Sequence, residues 1–110
     1  MVSEFSELIA SIRRYYGDNF VGLVIYELPK QDYIGVLVIF RERSPIMIDD
    51  SIRLMNLTKH LYPDAKSVAV ITLDEFKDKL INRDEKINEF LKNIVFIHDE
   101  AGELKKLLEC

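Results

Sequence analysis

The stretch VGLVIYELPKQDYIGVLVIF, Val21 to Phe40, decides the fold. Two runs rich in valine, isoleucine and aromatic residues flank one short polar link, Pro29–Asp32. Proline, lysine, glutamine and aspartate suit a tight reversal, so Phe20–Leu28 and Tyr33–Phe40 read as an antiparallel hairpin. On the second run, Tyr33, Gly35, Leu37 and Ile39 share one face, and Ile34, Val36, Val38 and Phe40 the other. Alternation between apolar and polar residues has almost vanished. A strand of that kind is covered on both faces.

Working outward, Phe5, Leu8, Ile9, Ile12, Tyr15 and Tyr16 have the spacing of one helical face, with Ser3 as its cap and Gly17 as its stop. After the hairpin a helix is expected from about Asp50 to Leu61, capped by Asp49 or Asp50, with Leu54, Leu57 and Leu61 turned inward. Tyr62–Pro63 ends it, because a residue before proline is biased out of the helical region. KSVAVIT is a third strand, and Thr72 with Glu75 forms a capping box that opens a helix through Leu80. DEKINEFLKN continues as a helix with Ile87, Phe90 and Leu91 inward, IVFIH is a short apolar strand, and DEAGELKKLLE ends in an amphipathic helix carrying Leu104, Leu107 and Leu108. The order α-β-β-α-β-α-α-β-α describes a single α+β domain over 1–110: a small mixed or antiparallel sheet with a central hairpin and helices packed on it. Leu23, Val24, Ile25, Val36, Leu37 and Val38 should be deeply buried, with the helices at 3–16 and 50–61 on one face.

Bulk properties narrow the function classes. The 110 residues are 48% apolar and 31% charged, the balance of a compact soluble domain. A net charge of −4 argues against a nucleic-acid partner, since such domains usually show a basic face. The single cysteine, Cys110, can form neither an internal disulfide nor a metal cage, which suits a reducing cytoplasm. The N-terminal MVSEFSELIA lacks the pattern of a signal peptide, and no apolar run has the length of a membrane span. The expectation is a cytoplasmic protein with no membrane partner. A lone glutamine, Gln31, beside plentiful isoleucine, lysine and glutamate resembles the composition of proteins from hot habitats.

Residue patterns that carry chemistry are sparse. Glu27 and Asp32 flank the turn, but turn acids are far more often solvated than catalytic. Asp49–Asp50 has the ordinary explanation that acids favour a helix N-terminus. His60 and His98 have no metal-ligand spacing, and the four glycines are scattered singly, which excludes a Walker loop or dinucleotide pattern. Tyr15, Tyr16, Tyr26 and Tyr33 have no basic groove beside them, so they read as core or interface packing rather than base stacking. No catalytic, cofactor-binding or metal-binding residue is assigned, and no cofactor is expected.

A helix, two central strands, a helix, and a strand running into ITLDEF resembles the layout of small DNA polymerase β-like nucleotidyltransferase domains, and the segment N…FLKNIVFIHD is similar to their closing helix and strand. The resemblance covers residues 1–98 and is clearest over Thr72–Asp99. It implies a Gly-Ser turn after the first strand, a D-x-D on the second and a third carboxylate on the next, together holding nucleotide phosphates and Mg²⁺. In this sequence Glu27–Leu28 stands at the Gly-Ser position, Tyr33 and Gly35 at the two aspartates, and Ala69 at the third carboxylate. The link Pro29–Asp32 is also too short for the phosphate-binding helix. The resemblance therefore implies a degenerate member of the superfamily, a minimal nucleotidyltransferase domain unable to run the family's reaction.

Three functions compete: a non-catalytic interaction or self-associating module; an enzyme with altered chemistry that still holds a nucleotide through Lys30, Arg41 or Arg43; and an accessory subunit of a nucleic-acid machine, which lacks a basic face. The sheet face opposite the first helices carries Tyr33, Gly35, Leu37, Ile39, Ala69 and Ile71, nearly all apolar. Either the C-terminal helix folds over that face or a second chain does, as a homodimer or with another protein. The possible interaction face is Tyr33, Leu37, Ile39, Ile71, Leu104, Leu107 and Leu108.

Overall fold

The two apolar runs are the central strands of the sheet. In the computed structural model, which describes residues 5–27, 34–42, 47–63, 65–82 and 85–109, β1 (Phe20–Glu27) pairs antiparallel with β2 (Ile34–Phe40). Leu28, Lys30, Tyr33 and the rest of the connecting link lie outside the described residues, as do Ser3, Arg43 and Cys110. Helix α1 (Ser6–Tyr16) precedes β1, and α2 (Met47–Leu61) carries the chain from β2 to β3 (Ala65–Thr72), which runs parallel to β2. Helices α3 (Leu73–Ile81) and α4 (Glu85–Lys92) follow, then β4 (Ile94–Asp99), antiparallel to β1, and α5 (Glu103–Glu109). The strand order is β3-β2-β1-β4, so the hairpin lies in the middle and both later strands are edges.

The helices divide between the two faces. On the first, Leu8, Ile9 and Ile12 of α1 and Leu54 of α2 pack with Leu23, Ile25, Val36, Val38 and Phe40 of the central strands. Aromatic rings close its margins, with Phe5 against Tyr62 at 4.9 Å between centroids and Tyr16 against Phe40 at 4.8 Å. On the second face, α3 contributes Leu73 and Phe76, and α5 contributes Leu104, over Val21, Val24, Leu37 and Ile39. The expected parity of β2 holds, and the six hairpin positions expected to be deep are all buried, Leu37 least so at 9% exposed.

Two bulges reconcile the strand faces with these layers. The β1–β2 register jumps between Phe20 and Gly22, leaving Val21 as an extra residue on the second face. The β1–β4 register jumps between Ile25 and Tyr26, so Val95 is the unpaired residue of β4 and stands 53% exposed. An added residue of this kind bends the strand and re-aims its neighbours.

Element boundaries depart from the sequence reading at several ends. Helix α2 begins at Met47, so Asp49 and Asp50 belong to its first turn and neither caps it. Helix α1 begins at Ser6, with Phe5 in the cap position and no side-chain hydrogen bond there. Its stop is as expected: Gly17 has φ of +52°, open to glycine at little cost, and donates its N–H to the Arg13 carbonyl. The Thr72–Glu75 capping box forms in both directions, the Glu75 N–H donating to Thr72 Oγ1 at 3.2 Å and the Thr72 N–H to Glu75 Oε1 at 3.1 Å. Thr58, buried in α2, meets its hydrogen-bonding need by donating to the Leu54 carbonyl at 2.6 Å.

Candidate functional site

Two of the three positions that the nucleotidyltransferase resemblance marks for metal-binding carboxylates can be located on the sheet, and the third, Tyr33, lies outside the described residues. Gly35 and Ala69 lie on neighbouring parallel strands, where Gly35 pairs with Ser67 and Leu37 with Ala69. Ala69 faces the second layer, the side occupied by α3, α4 and α5. Gly35 faces the same way, since a Cβ built on it would lie 2.3–2.6 Å from the ring of Tyr26, its partner on β1. The tyrosine ring therefore occupies the space where a side chain at position 35 would project. Phe90 of α4 packs edge-on against that ring, at 4.9 Å between centroids and 65° between planes. A glycine and a methyl group offer no oxygen donor, and a divalent cation needs several. These positions do not fit the metal.

The same layer holds the residues marked above as a possible interaction face. Leu37, Ile39 and Leu104 are buried together, and Ile71, Leu107 and Leu108 are partly buried against them, while Tyr33 lies outside the described residues. Of the two covers considered for this face, the chain's own helices are seen packed on it. The chain itself covers this face, with three helices rather than the C-terminal one alone. A close approach at β1 secures α5: a Cβ on Gly22 would fall 2.5 Å from Leu104 Cδ1 and 2.5 Å from the His98 carbonyl oxygen. A side chain at position 22 would press on Leu104 of α5 and on the β4 backbone at His98, and one of them would have to shift.

Polar side chains gather where β1 begins and β2 and β4 end. Arg13 of α1 donates two hydrogen bonds to Glu100, from Nε to Oε1 and from Nη2 to Oε2, each 2.8 Å. His98 Nε2 lies 2.6 Å from Glu100 Oε2, and its ring stacks on Phe20 at 5.9 Å between centroids. The Arg13 guanidinium is the main cause that holds the Glu100 carboxyl down at about 2, against partial desolvation, with His98 adding to the effect. On the opposite layer, Arg41 forks onto Glu103 of α5 at 3.0 and 2.6 Å. Asp99 Oδ2 accepts the Lys105 N–H at 2.9 Å, while Asp99 Oδ1 is buried with no hydrogen-bond partner among the described residues.

These pairs clasp the outer helices to the sheet. Arg41, one of three cations considered for nucleotide binding, is turned onto Glu103, while Lys30 and Arg43 lie outside the described residues. His60 sits exposed in the last turn of α2. Tyr16 and Tyr26 pack inside, but Tyr15 is 67% exposed beneath the Arg53 guanidinium, 6.0 Å from its ring centroid. The Arg13–Glu100 and Arg41–Glu103 pairs had no local signal, because their members are 87 and 62 residues apart in sequence. Among the described residues no cluster of three or more metal-ligating side chains occurs, and no helix is long and apolar enough to cross a membrane.

No protein-family model matches the chain, and no curated protein matches its sequence. Among solved structures it is similar to NF4, a de novo designed protein with a novel fold whose solution NMR structure covers 96% of this chain and 83% of that one, at 20% identity and a TM-score of 0.43. A likeness at that level carries no functional argument.

Proposed function

We propose that this chain is a non-catalytic, nucleotidyltransferase-like domain that works by association, with a second copy of itself or with another protein. The observation that carries the reading is the packing of Tyr26 over Gly35, with Ala69 on the adjacent strand and Phe90 behind the ring. On the family pattern, that is the ground on which carboxylates, metal and nucleotide phosphates would meet. Two-metal chemistry needs oxygen ligands in fixed positions. Tyr33, Gly35 and Ala69 supply none of the expected carboxylates, and the link at Pro29–Asp32 leaves no room for a phosphate-binding helix.

The test is transfer of labelled nucleotide to protein or RNA, with and without EDTA. No EDTA-sensitive incorporation is expected, and Tyr33→Asp with Gly35→Asp should remain inactive because the phosphate-binding turn is missing too. Thermal shift with ATP, GTP, Mg²⁺ and Mn²⁺ separates this reading from an enzyme of altered chemistry. A ligand-dependent rise in melting temperature would favour the latter.

A further inference from the structure

We infer that the chain self-associates through the free edge of β3, joining two four-stranded sheets into one continuous eight-stranded sheet about a two-fold axis. This inference rests on the reading of the domain as an associating module and names the surface that it uses. Strand β3 ends the order β3-β2-β1-β4, and among the described residues no other strand pairs with its outer side. An edge strand presents a row of unpaired N–H and C=O groups, which natural proteins usually blunt with charges, proline, bulges or shortness.

The two edges are treated differently. Strand β4 has six residues, is bulged at Val95, and ends in His98–Asp99. Strand β3 has eight residues, and its register jump lies at its start, where Lys66 is the extra residue between Ala65 and Ser67. From Ser67 to Thr72 the ladder is regular, and the sequence SVAVIT holds no charge and no proline. Ser67 through Ile71 are all half-buried, with Val68 and Val70 against the first layer and Ala69 and Ile71 against the second.

A strand added here must be apolar on both faces to extend both layers, and β3 of a second copy has that character. An antiparallel pair centred on Ala69 places its small side chain on the two-fold axis. Val68 then faces Val70 of the second copy, and Ser67 faces its Ile71, each within its own layer. In this register Lys66, exposed in the single chain, falls opposite Thr72 of the other copy. There the Glu75 carboxylate is fixed by the capping box, so each end of the seam brings a cation beside an anion. The register keeps the two Lys66 side chains apart, about 20 Å by strand geometry.

The full chain, compared by sedimentation velocity over a concentration series with Lys66→Glu, tests the seam. The wild type should show a monomer–dimer equilibrium, and Lys66→Glu should weaken it at least about tenfold by setting like charges together. Nitroxide labels at Lys66→Cys in a Cys110→Ser background should give an intermolecular distance distribution centred at about 20–30 Å, allowing for the label arms. A dimer indifferent to Lys66→Glu, or with labels far outside that range, would overturn the seam and leave self-association standing. A monomer throughout would overturn both the seam and self-association.

Discussion

The two faces of this sheet are made from the same central strands yet are covered in different ways. The first is closed by two helices that flank the hairpin in sequence, and among the described residues its cluster holds twelve buried residues against seven on the second. The second is closed by three short helices from the C-terminal part of the chain, and more of its members are only partly buried. Its fit depends on backbone gaps, at Gly22 for Leu104 and at Gly35 for Tyr26. The first layer is a core built by side-chain volume. The second is a lid that fits because two strand positions have no side chain.

Substitutions can break or sharpen that contrast, beginning with the first layer. Phe40→Ala removes a ring that is 2% exposed and packed on Tyr16, and should cost about 3–5 kcal/mol in chemical denaturation, as for other buried aromatics. Leu104→Ala in the second layer should cost less, about 2–3 kcal/mol, because a helix of seven residues can settle into part of the space. A loss below about 0.5 kcal/mol would mean that α5 does not close the second face.

Gly35→Ala should cost about 1–3 kcal/mol by overpacking against the Tyr26 ring. Combined with Tyr26→Ala it should cost less than the sum of the single changes, by about 0.5–3 kcal/mol, since removing the ring opens room for the methyl group. Additive losses would end the account of Gly35 as a seat for Tyr26, and with it the packing that supports the non-catalytic reading. Thr72→Ala, which removes a capping side chain at the entry to α3, should cost about 1 kcal/mol by the same measurement.

The smallest effect is electrostatic and belongs to the rim of the first layer. The Glu100 carboxyl is held at about 2 in the folded chain, below its ordinary 4.5, chiefly by Arg13. Between those values the unfolded chain binds more protons, so this contribution is complete above about pH 4.5 and is lost as the pH falls through about 2. Arg13 is half-exposed, so the contribution should be about 0.2–1 kcal/mol. Melting curves from neutral pH down to about 2 should show a shallower acid loss for Arg13→Ala than for the wild type. Equal slopes would remove Glu100 from the acid transition.

Much of this architecture was legible locally. The hairpin, the parity of β2, the Gly17 stop and the Thr72–Glu75 box are short-range patterns, and each reports the bonding needs of a few neighbouring residues. The end of α2 at Leu61, before Tyr62–Pro63, also followed from its neighbours, whereas its start at Met47 did not, because acids suit a first turn as well as a cap. The absence of carboxylates at Tyr33, Gly35 and Ala69 was likewise visible in the sequence.

Tertiary structure decided what covers the second face and why Gly35 is a glycine. Periodicity shows that a strand face is apolar, but it carries no information on which helices will meet it. That choice depends on connections and volumes summed over the whole chain, and by it Leu37, Ile39 and Leu104, marked in the sequence as a possible interaction face, pack together inside. The bulges at Val21 and Val95 belong to the same class, since a register jump exists only between two strands. So do the pairs Arg13–Glu100 and Arg41–Glu103, whose members the fold brings together from distant parts of the chain. Local patterns determined the elements and the missing carboxylates. Long-range packing determined which surfaces closed, because burial is settled between elements and not within them.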